Sequence, residues 1–157
     1  MQTEYYTLND AGQAIQHDIM LEGGVYASRS RLTYSYNGFL LTDTTMNYGL
    51  LPGIKITRYT TTGDNISART IKTEDDTGVT TEETKFFYNG LKNTVGYLNQ
   101  GISFLGKQNV NLADSSKTTP APLIGPNPLV FSYDFDEGGR IGKTTCNDGM
   151  ITIYGYY

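Results

Sequence analysis

Apolar and polar residues alternate with period two along much of the chain, the pattern of strands that bury one face. Helix signals are nearly absent. The pattern therefore predicts β-strands with an aromatic and aliphatic inner face. The alternating apolar positions are clearest in three segments: Leu129, Phe131, Tyr133 and Phe135; Leu32, Tyr34 and Tyr36; Ile15, His17, Ile19 and Leu21.

Turn glycines recur at a nearly constant interval, and each separates two strand-like segments. They are Gly12, Gly38, Gly63, Gly90 and Gly138, at intervals of 26, 25, 27 and 48 residues, the last close to two periods. Since each unit reads as strand, turn and strand, the period predicts roughly ten strands. We expect an all-β antiparallel meander, curved or barrel-like, in one repeat-built domain over residues 1–157.

Three dipeptides within this pattern are typical of tight hairpins, because they tolerate positive φ at both central positions. They predict antiparallel neighbours at Asn37-Gly38, Asn89-Gly90 and Asp148-Gly149. Residues 93–128 interrupt the alternation and hold four of the five prolines, which cannot donate to a strand ladder. We predict a long irregular loop there. A functional loop and an insertion without a role both remain open.

Composition agrees with an all-β fold and removes several classes of function. Thirteen Tyr and eighteen Gly suit strands and turns. No window approaches the roughly 18 apolar residues of a spanning helix, so we predict no transmembrane helix. The net charge is -4 and the sequence has no basic stripe, so we expect no nucleic-acid partner. Cys146 is the only cysteine, and we expect it to be a small buried side chain.

The run FDEGGRIGKTT at residues 135–145 suggests a phosphate loop, a calcium loop or a turn. A phosphate loop requires a glycine where Glu137 stands and a helix after Thr144, and both are missing. A calcium loop requires a carboxylate six residues beyond its glycine, and none occurs before Asp148. We therefore interpret the run as a turn. Asp136 is its side-chain acceptor, Gly138 and Gly139 are its positive-φ residues, and RIGKTT is the returning strand.

Other catalytic chemistries also lack a coherent set of residues. His17 and Cys146 are alone and far apart, so zinc has little support. We expect His17 to be buried and hydrogen-bonded rather than a catalytic base. The carboxylate pairs Asp75-Asp76 and Glu82-Glu83 are interpreted as solvated hairpin ends. The sequence therefore predicts no catalytic residue, no cofactor and no metal site.

Tyrosine is the remaining functional signal, because aromatic faces can stack on sugar rings or anchor a protein partner. Core packing and cross-strand pairing explain most of the tyrosines equally well. The candidate binding residues are Tyr34, Tyr36, Tyr88 and Tyr97.

Residues 133–157 resemble the tyrosine-aspartate repeat of the Rhs family of bacterial surface proteins. The matching and turn positions are Tyr133, Phe135, Asp136, Gly138, Gly139, Arg140, Ile141, Thr145, Asp148, Gly149, Tyr154 and Tyr156. With its size and its loop before the final unit, the chain is similar to a family of small Bacteroidetes secreted lipoproteins with a porin-like β-fold. That resemblance implies export to the cell envelope, in the periplasm or at the outer-membrane surface, with a lipid anchor in the full-length protein. The first residues themselves lack the basic and apolar regions of a secretory signal and an early cysteine, so the residues alone leave a cytoplasmic protein and an exported one both open.

These observations favour a non-enzymatic cell-envelope protein that binds a protein or glycan partner. Two alternatives stay open. One is a hydrolase that uses two carboxylates in a tyrosine-lined cleft. The other is an immunity-like partner of a secreted toxin, which the resemblance to Rhs proteins implies.

Overall fold

A computed structural model of the 157-residue chain describes residues 1–21, 28–37, 39–48, 52–94 and 109–155. These residues form eleven strands, paired in sequence order, and each pair with a defined register is antiparallel. The predicted antiparallel meander is confirmed. The strands are β1 (Gln2–Leu8), β2 (Ala14–Leu21), β3 (Ser28–Asn37), β4 (Phe39–Tyr48), β5 (Gly53–Thr62), β6 (Asn65–Asp75), β7 (Gly78–Lys92), β8 (Asn111–Thr119), β9 (Leu129–Phe135), β10 (Ile141–Cys146) and β11 (Ile151–Ile153).

Two of the three predicted hairpins connect adjacent strands. Asn37 pairs with Phe39 across the β3–β4 connection, whereas Gly38 lies outside the described residues. Between β10 and β11, the Met150 amide donates to Asp148 Oδ1 at 2.9 Å and Gly149 has φ of 93°. Only glycine adopts such a φ without steric cost, so this dipeptide determines the turn.

The prediction of a hairpin at Asn89-Gly90 is wrong, because both residues lie inside the 15-residue strand β7. Gly90 has φ of 89°, and the register with β8 shifts between Tyr88 and Lys92. The dipeptide therefore forms an irregularity within a strand. Positive φ serves a bulge as well as a hairpin, and the sequence alone does not distinguish them.

The predicted irregular loop over 93–128 is also wrong in part, because β8 lies within it. All four prolines of that segment follow β8, so every ladder donor of Asn111–Thr119 is intact. Leu112 and Ser116 are buried there, which shows that the strand has an inner face despite its polar sequence. Residues 95–108 lie outside the described part of the chain.

The chain divides into two compact units. Unit 1 holds the described residues of Met1–Tyr59 and Thr70–Glu82. Unit 2 holds those of Thr60–Arg69, Glu83–Ile102 and Gln108–Tyr157. A division by contacts does not establish independent folding, so the expectation of one domain over residues 1–157 stays a prediction.

The inner faces follow the predicted alternation in β3 and in most of β9. Leu32, Tyr34 and Tyr36 are half-buried, whereas Thr33 and Ser35 are exposed. In β9, half-buried and exposed residues alternate in the same way. The half-buried residues are Leu129, Phe131 and Tyr133, and the exposed ones are Val130, Ser132 and Asp134. Phe135 departs from the prediction and is 43% exposed, since β9 ends there and its register with β10 shifts beyond Ile141.

In β2, a bulge moves the buried face away from the predicted positions. Leu8 pairs with Ala14 and Thr7 pairs with Gln16, so Ile15 is the extra residue. Ala14 is consequently fully buried, whereas Ile15 and Leu21 are exposed. His17 is buried as predicted. A bulge changes which residues share a face, and alternation along one strand does not reveal it.

The described residues contain few buried apolar side chains. Those that are almost completely buried are Ala14 in unit 1 and Leu112, Ile141 and Cys146 in unit 2. Tyr133 and Tyr154 pack against Leu112 and Ile141 and complete the core of unit 2. No described segment is a helix of the length and apolarity that crossing a membrane requires.

Candidate functional site

A concave site with an aromatic wall lies beside the core of unit 2. It is a cavity of about 270 Å³ whose walls come from β7, β8, β9, β10 and the segments next to β7, β8 and β11. Four aromatic rings form most of its apolar wall. They belong to Phe86, Phe131, Tyr133 and Tyr154. Leu112, Ala113, Asn93, Asn109 and Thr144 complete the lining.

Strand register explains why these side chains meet. Phe86 pairs with Ser116, Thr144 pairs with Tyr133, and Cys146 pairs with Phe131, so inner-face residues of neighbouring strands lie side by side. No ring of the described part of the chain stacks on any of the four cavity rings. An aromatic face with no stacked neighbour can receive an apolar or sugar ring.

Tyr133 is fixed at the centre of this site by its hydroxyl, which donates to the carbonyl oxygen of Ala113 on β8. Burial, together with the nearby Tyr154 and Asp114, raises the pKa of Tyr133 to about 12. Its hydroxyl is therefore neutral at physiological pH and acts as a hydrogen-bond donor. Tyr133 positions the site and does not serve as a base.

Two buried oxygens in this region have no hydrogen-bond partner among the described residues. One is Thr144 Oγ1 on the cavity wall, and the other is Asp114 Oδ1, next to the wall residue Ala113. Asp114 is the extra residue of a bulge, since Phe87 pairs with Ser115 and Tyr88 pairs with Ala113. A buried oxygen without a partner costs roughly 1–3 kcal/mol of folding free energy, and an ordered water, an ion or a ligand can offset that cost.

A set of asparagine side chains fixes the edge of the cavity. Asn65 and Asn111 exchange hydrogen bonds of 2.9 Å, from Asn65 Nδ2 to Asn111 Oδ1, and 2.8 Å, from the Asn111 amide to Asn65 Oδ1. The Ile66 amide donates to Asn109 Oδ1 at 2.7 Å. Asn93 Nδ2 donates to the Asn109 carbonyl oxygen at 3.0 Å. These amides satisfy backbone groups of irregular segments and thereby hold the start of β8.

The candidate binding tyrosines predicted from sequence do not come together at this cavity. Tyr88 donates its hydroxyl to the Ile66 carbonyl oxygen, and Tyr36 donates to the Ala14 carbonyl oxygen at 2.7 Å. Burial raises the pKa of Tyr34 and of Tyr88 to about 12. Tyr97 lies outside the described residues. A binding role for these four tyrosines stays a prediction.

The turn residues of the final repeat have the local roles that the sequence predicted, with one correction. Asp136 Oδ1 accepts from the Arg140 amide and Asp136 Oδ2 accepts from Arg140 Nε, both at 2.8 Å. Gly139 has φ of 73°. The prediction of positive φ at Gly138 is wrong. A side chain there would bring Cβ to 3.3 Å from Asp136 Oδ1, so crowding against the capping carboxylate makes this position tight.

The rest of the predicted signature lies on β10 and β11 or just beyond them. Ser132 donates to the Thr145 carbonyl oxygen at 3.4 Å. Hydrogen bonds from the Met150 amide and the Cys146 side chain lower the pKa of Asp148. Tyr156 lies outside the described residues.

A second polar cluster lies in unit 1 around His17. His17 Nε2 is 3.1 Å from Glu4 Oε2, and its ring stacks on Tyr6 with centroids 4.0 Å apart. The hydrogen bonds from Gln2 and His17 lower the pKa of Glu4. This is the hydrogen-bonded histidine that the sequence predicted, and its contacts are those of a structural side chain.

The carboxylate pairs are spread over different environments. Asp75 accepts from the Thr77 amide at 2.8 Å and caps the β6–β7 turn, as predicted. Glu82 and Glu83 lie within β7 rather than at a hairpin end, which corrects that prediction. No carboxylate lines the unit 2 cavity among the described residues. In that part of the chain, no three His, Cys, Asp or Glu side chains form a group that could hold a metal ion.

Sequence reasoning missed the residues that make this site. The sequence predicts Tyr133 as an inner-face and repeat residue, Tyr154 as a repeat residue and Thr144 as part of a returning strand, but none of them as part of a site. One signal was present for Thr144. Because residues two apart share a strand face, a buried Cys146 places Thr144 on the inner face.

No protein-family profile matches this sequence, and no curated protein matches it. Among solved structures, the chain is similar to the crystal structure of a porin-like protein from Bacteroides uniformis ATCC 8492. The two share 15% sequence identity and a TM-score of 0.55. The match covers 98% of this chain and 66% of the other, so this chain spans less than two thirds of that protein. At this identity the likeness establishes a porin-like, all-β fold.

Proposed function

We propose that this chain is a non-enzymatic cell-envelope protein that binds a glycan in the unit 2 cavity. The observation that carries the proposal is a concave wall of four aromatic rings with the buried hydroxyl of Thr144 among them. Aromatic rings stack on the apolar faces of sugars, and a few placed polar groups provide orientation. A catalytic role has less support, because no carboxylate of the described residues lines this wall.

A glycan array probed with the full chain and with Phe131→Ala tests the proposal. Phe131 supplies one cavity ring from the inner face of β9. We expect selective binding by the wild-type protein and a loss of roughly twofold to tenfold in affinity for the variant, since a stacked ring contributes roughly 0.5–1.5 kcal/mol. Ile153→Ala is the control, because Ile153 is 78% exposed and does not line the cavity. An array without a selective hit, together with a protein captured in a pull-down, would favour a protein partner instead.

We also propose export to the cell envelope and a lipid anchor in the full-length protein. Support comes from the porin-like fold shared with a Bacteroides protein and from the resemblance of the sequence to secreted Bacteroidetes lipoproteins. Fractionation of cells that express the full-length protein, with labelling by a fatty-acid analogue, tests both parts. A protein in the cytosolic fraction would contradict export, and an unlabelled protein in the envelope would contradict the anchor alone.

We propose further that the strands descend from tyrosine-aspartate repeats. Three tyrosines make an equivalent contact, each donating its hydroxyl to a backbone carbonyl oxygen of the preceding strand. The pairs are Tyr36 with Ala14, Tyr88 with Ile66 and Tyr133 with Ala113, at separations of 22, 22 and 20 residues. Equivalent contacts predict similar decreases in melting temperature for Tyr36→Phe, Tyr88→Phe and Tyr133→Phe. The exposed Tyr5 is the control position, and we expect Tyr5→Phe to leave the melting temperature nearly unchanged. Decreases that differ widely among the three variants, or that are as small as that of Tyr5→Phe, would argue against a shared role.

A further inference from the structure

The polar groups of the unit 2 cavity differ in their remaining hydrogen-bonding capacity. Asn93 Nδ2 donates to the Asn109 carbonyl oxygen, Asn109 Oδ1 accepts from the Ile66 amide, and the Tyr133 hydroxyl donates to the Ala113 carbonyl oxygen. Thr144 Oγ1 is buried without a partner among the described residues, so its side chain must rotate toward the cavity to meet a ligand. Tyr154 lines the same wall. Each hydroxyl can both donate and accept, as the hydroxyls of a sugar do.

The absence of charged side chains from the described cavity lining favours uncharged sugars over anionic ones. Among the described lining residues there is no Lys, Arg, Asp or Glu. An anionic ligand would lose its hydration here without gaining a cationic partner. Asp114, which adjoins the wall residue Ala113 and holds a buried oxygen, would also repel an anion. The wall is thus suited to an uncharged ligand.

The size of the cavity limits the ligand as well. Its volume of about 270 Å³ lies just below the range of roughly 300–1,000 Å³ that is usual for ligand pockets. A longer oligosaccharide would extend beyond the four rings, whereas one ring would be in contact with several of them. The cavity is suited to a single terminal sugar residue.

We infer that the unit 2 cavity selects one uncharged sugar ring, which stacks on the aromatic wall and shares hydrogen bonds with the Thr144 and Tyr154 hydroxyls. This inference rests on the proposed function and adds the ligand class and the two residues that recognise it. Thr144 and Tyr154 come from β10 and from the segment after β11, and the Tyr154 amide donates to the Gly142 carbonyl oxygen at 3.0 Å. That bond fixes the two hydroxyl-bearing segments relative to each other.

Titrations with small glycosides test this selection directly. The probes are methyl glycosides of glucose, galactose and N-acetylglucosamine, each measured by saturation-transfer NMR and calorimetry, with the methyl glucuronide and galacturonide as anionic counterparts. We expect at least one neutral glycoside to bind and its uronide to bind at least about tenfold more weakly, because the carboxylate is desolvated without a partner.

Two variants with a matched control identify the recognising residues. Thr144→Val and Tyr154→Phe remove one hydroxyl each and keep the shape, so we expect each to weaken binding about fivefold to tenfold. Thr145→Val changes the adjacent residue on the opposite face of β10, and we expect unchanged binding. Circular dichroism and melting temperature establish that all three variants fold.

The outcomes separate this inference from the proposed function. Selective array binding that Phe131→Ala weakens, with uronides equal to or tighter than neutral glycosides, leaves the function standing and overturns the selection of neutral sugars. Neutral binding that survives both Thr144→Val and Tyr154→Phe overturns the two assigned contacts. Absence of binding in both the array and the titrations overturns the proposed function and the inference together.

Discussion

At the residue scale, Thr144 connects the proposed sugar contact with a cost in stability. Its hydroxyl oxygen is buried without a partner in the described residues. Valine has nearly the same shape and no polar atom, so Thr144→Val removes the desolvation penalty. We expect the free protein to become more stable by about 1 kcal/mol. Thermal unfolding without sugar measures this change.

The control for that measurement is Thr145→Val, which we expect to change stability by less than about 0.5 kcal/mol. A variant that is more stable and binds less tightly than the wild type is typical of functional positions. A Thr144→Val protein that is clearly less stable would contradict the assignment, since it would mean that the hydroxyl has a structural partner.

Three half-buried tyrosines make stability depend on alkaline pH. The pKa of Tyr34, Tyr88 and Tyr133 is raised from 10 to about 12, chiefly by burial. Between these values the unfolded chain loses protons that the folded chain keeps, so unfolding becomes more favourable as pH rises. We expect their contribution to stability to be complete below pH 10 and to be lost between pH 10 and 12.

Urea unfolding at pH 9, 10, 11 and 12 tests this dependence, with Tyr88→Phe as the comparison. Phenylalanine does not titrate, so the variant should lose less stability than the wild type over the same pH interval. Equal losses in the two proteins would show that Tyr88 titrates alike in the folded and unfolded chains.

At the element scale, irregularities within strands decide which side chains meet. Gly90 adopts φ of 89° inside β7, and a Cβ at this position would have nothing within 4 Å. A substitution therefore strains the backbone without causing a clash. We expect Gly90→Ala to reduce the free energy of unfolding by about 1–2 kcal/mol, the usual cost of a left-handed residue.

Gly155→Ala is the matched control for chemical denaturation of Gly90→Ala. Gly155 also has open space around its Cβ position, and its φ is outside the positive region. We expect this variant to be as stable as the wild type, or slightly more stable because alanine restricts the unfolded chain. If both variants unfold at the same denaturant concentration, the conformation of Gly90 contributes nothing specific.

Alternation in the sequence predicts strands well when one face is apolar, as β3 and β9 show. It failed for β8, because Leu112 is the only large apolar residue of Asn111–Thr119 and polar residues such as Ser116 occupy the rest of its buried face. It also failed where bulges occur, as at Ile15 and Asp114, since an extra residue changes the face without changing the composition.

The cavity depends on information that no local pattern contains. Its walls combine Phe86, Leu112, Phe131 and Thr144, which are far apart in sequence and meet only through strand register. Register is set by pairing over the whole length of two strands. The sequence therefore predicted the all-β class and the final turn, but not which inner residues share a site.

At the scale of the whole molecule, the small number of buried apolar side chains concentrates stability in few residues. Ile141 is 1% exposed and packs with Leu112, Tyr133 and Tyr154. We expect Ile141→Ala to cost about 2–5 kcal/mol in unfolding free energy, as do other large-to-small core changes. Equilibrium denaturation measures this cost.

Ile153→Ala makes the same chemical change at a side chain that is 78% exposed, and we expect a change below about 0.5 kcal/mol. Comparable losses in the two variants would indicate that stability is spread over the strands instead of depending on the core of unit 2. The porin-like fold shared with the Bacteroides protein does not predict this distribution, since 15% identity leaves the side chains free to differ.

The buried thiol of Cys146 can be used to measure how often the structure around β10 opens. It is the only cysteine of the chain, it is 4% exposed, and it lies at the end of β10 beside the cavity. A thiol reagent reacts with a buried side chain only when the surrounding structure opens. The rate of labelling at Cys146 therefore reports how often β10 separates from its neighbours, and we expect a sugar bound in the cavity to slow that rate in proportion to its occupancy.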